Sequence, residues 1–181
     1  MHTQFVAVRK CASLLFGLLI LVGFYLASRY SYLLFHSLVE LFSVVIAFTL
    51  FIVAWNSRRF VDNNYVLFIG IAFLFVGGLD LVHTLGYPGM GIFSGSDTNL
   101  AAQLWIAARY LQSLSFLVAP VFFGRKLKIG FVFGVYAFVC FLFLGAIFLN
   151  HFPVCFVKGV GLTVFKKLSE SPRVNQEQDW D

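Results

Sequence analysis

The chain has 181 residues, of which 60% are hydrophobic and 12% charged, and a net charge of +5. A soluble domain carries about a quarter charged residues, so the composition excludes an ordinary soluble globular protein. Nucleic-acid binding is excluded too, because the basic residues form no face on a soluble module.

The apolar residues fall in blocks of about twenty, the length a helix needs to cross a bilayer. Five spans are predicted, over 11–28, 33–55, 64–84, 101–123 and 129–149. The fold class is therefore all-α, a polytopic transmembrane helix bundle. Arg9 and Lys10 precede the first span, which ends at LAS. A cleaved signal peptide has that pattern, but this apolar run is longer than a signal core, which favours an uncleaved span. Arg58 and Arg59 sit between the second and third spans, and Arg125, Lys126 and Lys128 between the fourth and fifth. The 85–100 loop has no Lys or Arg. The positive-inside rule then puts the N-terminus in the cytoplasm and the 85–100 loop outside. Asp62 is a candidate cap for the third span. Gly77 and Gly78 would allow a neighbouring helix to approach closely. The loop over 85–98 is rich in Gly and should be irregular. Cys11, Cys140 and Cys155 have no ligand-like spacing and no disulfide is expected; Cys11 and Cys140, at or inside spans, are read as small hydrophobes.

Ionisable groups inside the hydrocarbon are costly unless they face protein or water. The second span holds His36 and Glu40, four apart on one helix face. The third holds Asp80 and His83, three apart, again on one face. The fourth holds Arg109, with Gln112 three residues on. Counting from the outer ends, Glu40 lies roughly 10 Å deep, Asp80 roughly 6 Å and Arg109 roughly 12 Å. Two readings stand side by side. Glu40, Asp80 and Arg109 form a buried ion-pair lock, or the groups line a ligand or proton-sensing pocket between spans two, three and four. The pairs His36 with Glu40 and Asp80 with His83 also have chelating helical spacing, which makes them candidate metal ligands. No cofactor is assigned. CxxCH, HExxH, Walker and Rossmann patterns are absent, and no nucleophile has a base beside it, so no enzyme activity is expected. Trp105 and Tyr110 are interfacial anchors or pocket walls, with anchoring favoured for Trp105.

The stretch FHSLVELFSVVIAFTLFIVAWNSRRFVDNNYVLFIGIAFLFVGGLDLVHTLGYPGMGIF, then TNLAAQLWIAARYLQSLSFLVAP, resembles the third class of bacterial membrane-associated sensor domain, the MASE group. FPVCFVKGVGLTVFKKLSE resembles that family's external segment after its fifth span. The combination of HxxxE, AWNSRRFxDNN, GGLDLxHT and QLWIAARY is specific, and the resemblance runs from about Phe35 to Glu170. It implies a sensory input module of the bacterial inner membrane. It also implies importance for His36, Glu40, Asp80, His83 and Arg109, and brings no catalytic residues. Such modules precede cytoplasmic PAS, histidine-kinase or diguanylate-cyclase parts, in two-component or cyclic-di-GMP signalling.

Family members continue past this segment into further spans. Here the sensor module is read over 1–170, followed by a polar, disordered tail over 171–181. Five spans leave the C-terminus outside, together with Lys158, Lys166, Lys167 and Arg173, against the charge rule. The expectation is a C-terminally truncated sensor whose output would come from a partner. The lipid bilayer is the one partner expected outright, and a homodimer is left open. The rival readings are a transporter or channel subunit and a non-functional remnant.

Overall fold

The computed structural model describes residues 2–60, 63–93, 98–157 and 159–169, with the backbone alone for residues 2–10. Five helices are long and apolar enough to cross a membrane: Cys11–Tyr30, Tyr32–Ser57, Asn64–Leu85, Thr98–Phe122 and Ile129–Phe148. The predicted all-α membrane bundle is therefore the observed architecture. The helices are α1 (His2–Tyr30), α2 (Tyr32–Ser57), α3 (Asn64–Leu85), α4 (Thr98–Val118), α5 (Ile129–Phe148) and a short α6 (Val164–Ser169). The only strands among the described residues are β1 (Phe156–Val157) and β2 (Gly161–Leu162), an antiparallel pair in which Phe156 faces Leu162. Lys158, Arg173 and the tail over 171–181 lie outside the described residues, as does Asp62.

The chain divides into two compact units, Met1–Phe42 and Ser43–Asp181. In the first, α1 exposes Leu14, Leu15, Phe16, Leu18, Leu19 and Leu21. A helix apolar on all sides suits a lipid environment. Ser31 separates α1 from α2, and its side chain accepts a hydrogen bond from Leu34 N at 3.4 Å. That is the role of an N-terminal cap. Further on, Phe24 meets Phe42 edge to face, with ring centroids 5.8 Å apart.

The second unit is organised around α3. Leu67, Phe68, Ile71, Ala72, Val76 and Leu79 recur at three- and four-residue intervals, and all are buried. They pack with Ala108 and Leu111 of α4 and with Val132 and Tyr136 of α5. Ser115 Oγ lies 2.6 Å from the Tyr136 hydroxyl and also donates to Leu111 O, so the α4–α5 seam carries one closed polar contact. The cap of α3 is Asn63, whose side chain accepts from Val66 N at 3.2 Å. Pro120 cannot donate a backbone bond, and α4 accordingly ends in a 3₁₀ turn over Ala119–Phe122.

Small residues set the packing of α2 on α3. At Gly70 an added Cβ would meet the Ala54 Cβ at 2.4 Å, and at Gly77 it would meet the Ala47 Cβ at 2.9 Å. Gly78 differs from expectation, since nothing lies within 4 Å of the corresponding position. Adjacent helical residues point about 100° apart, so only one glycine of the pair faces α2.

Candidate functional site

Asp80 and His83 lie near the C-terminal end of α3, one turn apart and both buried. Arg109 lies on α4, which runs antiparallel to α3. Side chains on a helix lean toward its N-terminus, and the N-terminus of α4 is at the same end as the C-terminus of α3. Arg109 therefore leans toward the start of α4 and reaches Asp80. Its Nη2 donates to Asp80 Oδ1 at 2.6 Å and Oδ2 at 2.5 Å, and its Nη1 donates to Gln112 Oε1 at 2.7 Å. The Asp80 side chain is 7% exposed and that of Arg109 35%. The two charges are thus shielded unequally, with the guanidinium on the more open side.

Neighbouring side chains make further contacts around this pair. Thr84 Oγ1 donates to Asp80 O at 2.8 Å. His83 Nδ1 sits 2.8 Å from Ala101 O, tying the end of α3 to the second turn of α4. The Arg109 guanidinium also lies 5.8 Å from the Trp105 ring centroid, within cation–π range. The Nε of Arg109 is buried and has no hydrogen-bond partner among the described residues.

The segment after α5 folds over the first turns of α4. Asn99 Oδ1 accepts from Cys155 N at 2.8 Å and from Phe156 N at 3.0 Å. Gln103 Nε2 donates to Phe152 O at 3.1 Å and Pro153 O at 3.0 Å. Cys155 is fully buried against Ala102 and Ile106, with Trp105, Phe152 and Phe165 around them. Lys166 adds a second cation 5.5 Å from the Trp105 ring. Trp105 is thus a packing residue beneath this segment, flanked by two cations.

A family model described as a membrane-associated sensor domain, MASE3, matches residues 27–173. The chain belongs to the MASE3 family. It is a membrane-embedded, multi-pass domain of a sensory rather than a catalytic kind. No curated protein and no solved structure matches it.

Within this MASE3 domain the structure joins Asp80, Arg109 and Gln112 into one hydrogen-bonded group, with His83 one turn away on α3. Of the three-residue lock expected from the sequence, the Asp80–Arg109 pair is present in the second unit. His36 and Glu40 lie in the first unit, one turn apart on α2, with Tyr32 stacked on His36 at 6.1 Å between centroids. Cys11 and Cys140 are free thiols, and Cys155 Sγ donates to Pro153 O at 3.4 Å.

Sequence reasoning passed over Asn99 and Gln103. Their signal was four-residue spacing on the first turns of α4, which puts two amides on one face. Replacing Asn99 with Ala strips two backbone donors of their acceptor, at a cost of about 1–3 kcal/mol. Local opening of the segment after α5 should then expose Cys155 about tenfold more often. Peptide-resolved maleimide labelling reads this directly, and an unchanged Cys155 rate would show that Asn99 does not hold the segment.

Proposed function

We propose that this chain is a sensory input domain of a bacterial inner membrane, with Asp80, His83, Arg109 and Gln112 as its sensing centre. The observation that carries the reading is the Arg109 Nε. A buried donor without a partner costs about 1–3 kcal/mol, and an incoming acceptor recovers that energy. The Arg109 side chain is about a third exposed although its Nε is buried, so a carboxylate, a phosphate or water gains the Nε when the side chain shifts. An acceptor bound there, or a proton on Asp80, weakens the grip of α3 on α4. The result is a population shift between two packings of the helices.

Both carboxylate oxygens of Asp80 already accept from Arg109, so a metal ion at Asp80 would have to displace a guanidinium. That favours an anion or proton signal over a metal. His36 and Glu40 enter the proposal on their helical spacing alone. The basic residues Arg58, Arg59, Arg125, Lys126 and Lys128 support a cytoplasmic N-terminus by the positive-inside rule. In this reading the output is a cytoplasmic histidine kinase or diguanylate cyclase.

The test uses a family member that has its output domain. Arg109→Lys keeps the charge but loses the forked geometry and the Nε donor. It should shift kinase or cyclase output about tenfold at unchanged membrane abundance. Unchanged output would remove Arg109 from the sensing centre. Substrate flux in proteoliposomes would instead favour a transporter, a reading opposed by the absence of charged residues deep in the inner half of the spans.

A further inference from the structure

The end of the second unit opposite the Asp80–Arg109 pair holds a cleft of about 540 Å³. Asn63 and Asn64 at the start of α3 form one wall, and Phe122, Phe123, Arg125 and Lys126 form the other. We propose that this cleft binds the headgroup of an anionic phospholipid, with Arg125 and Lys126 on its phosphate and the two phenylalanines against its upper acyl chains.

Position is the first argument. Asn64 begins one candidate span and Phe122 ends another, so the cleft lies at the boundary between hydrocarbon and water, where lipid phosphates sit. Charge is the second. Arg125 and Lys126 are exposed, and among the described residues no carboxylate lines the cleft. Basic side chains at this height attract anionic lipid.

Shape is the third argument. Phe122 stacks on Phe68 with centroids 4.6 Å apart, and Phe123 stacks on Tyr65 at 4.3 Å. These contacts fix an aromatic wall on the hydrocarbon side. Gly124 then adopts φ +79°, a conformation that favours glycine. The chain turns there and brings the two cations to the same cleft. A free phosphate ion could use the cations but not the aromatic wall. A lipid uses both, and Asn64 adds an uncharged donor for its glycerol or ester oxygens.

The test uses the full chain in nanodiscs or neutral micelles, titrated with phosphatidylglycerol or phosphatidylcholine and read by native mass spectrometry. The wild-type chain should retain phosphatidylglycerol in preference to phosphatidylcholine. Arg125→Gln with Lys126→Gln should weaken that retention about thirty-fold. Arg125→Lys with Lys126→Arg should preserve it. Arg58→Gln with Arg59→Gln removes the same charge from the neighbouring loop and should leave retention close to wild type. Equal loss from both glutamine pairs would reduce the effect to net charge and overturn the site. No preference for phosphatidylglycerol in the wild-type chain would overturn it without recourse to any variant. Displacement of the lipid by inorganic phosphate at equal concentration would overturn the choice of a lipid as occupant.

Discussion

Asp80→Leu should cost the folded domain about 3 kcal/mol, and Arg109→Leu at least as much. Each single change leaves the opposite charge inside the span without its partner, and that uncompensated charge is the main expense. The Asp80 carboxylate is the more shielded of the two, so losing Arg109 strands the better-buried charge. The double variant, Asp80→Leu with Arg109→Leu, strands neither. It should cost less than the two single changes added together, with a coupling energy of about 2 kcal/mol or more. Equilibrium unfolding in mixed micelles, run as a double-mutant cycle, measures this. Single-variant costs below about 1 kcal/mol would mean that water reaches the pair and that it behaves as a surface salt bridge.

The same cycle separates a lock from a sensing centre. A lock is satisfied by any well-packed apolar replacement, so the leucine pair would keep both fold and output. A sensing centre needs the guanidinium itself, so the leucine pair would keep the fold and lose the response. The unpartnered Nε favours the second outcome. A purely structural arginine gains nothing from a buried donor left open, because each such donor lowers stability.

Charges inside apolar runs were the most legible part of this chain. Asp80 and Arg109 stand out because each interrupts about twenty apolar residues, and the cost of such groups in lipid requires them to find each other. The core face of α3 was not legible, because the helix is apolar on all sides and the helical period of its buried positions leaves no contrast in the sequence. The first turns of α4 were not. Thr98, Asn99 and Gln103 lower the local hydropathy, so the span was predicted to begin at 101, whereas the helix starts at Thr98. Amides near the end of a span look like loop flanks. Their partners here, Cys155 N and Phe152 O, lie about fifty residues further along the chain. A contact between distant carbonyls and amides leaves no periodic trace. The glycine pair was half legible: composition shows that a helix can approach, but only the rotation of α3 against α2 says that Gly77 faces it and Gly78 does not.

Gly70→Ala should be the most damaging single methyl that can be added to the domain. Its Cβ would lie 2.4 Å from the Ala54 Cβ, with Leu50 O at 3.5 Å and the Phe51 Cα at 3.6 Å. These are atoms of a neighbouring helix at or next to its backbone, so no side-chain rotation relieves the clash and α2 must move as a body. Overpacking of this kind costs about 1–3 kcal/mol, and Gly70→Leu should exceed that range. Gly77→Ala meets the Ala47 Cβ at 2.9 Å and the Phe48 ring at 3.2 Å. It should cost less, because its closest approach is longer than the 2.4 Å at Gly70. Gly78→Ala meets nothing and should be neutral or gain up to about 1 kcal/mol from helix propensity. Thermal unfolding of the three variants in one detergent gives the order, and equal losses at Gly70 and Gly78 would contradict the packing described. Ala54→Gly combined with Gly70→Ala moves the methyl to the other helix and should restore most of the lost stability. That rescue isolates the α2–α3 contact as the cause. The contact joins the helix that carries Asp80 to the helix that ends beside Arg58, so a shift of α3 cannot occur without α2 answering it. If the sensing centre acts through α3, the Gly70→Ala variant in a family member with an output domain should change output even where enough folded protein remains. The Ala54→Gly rescue should return it.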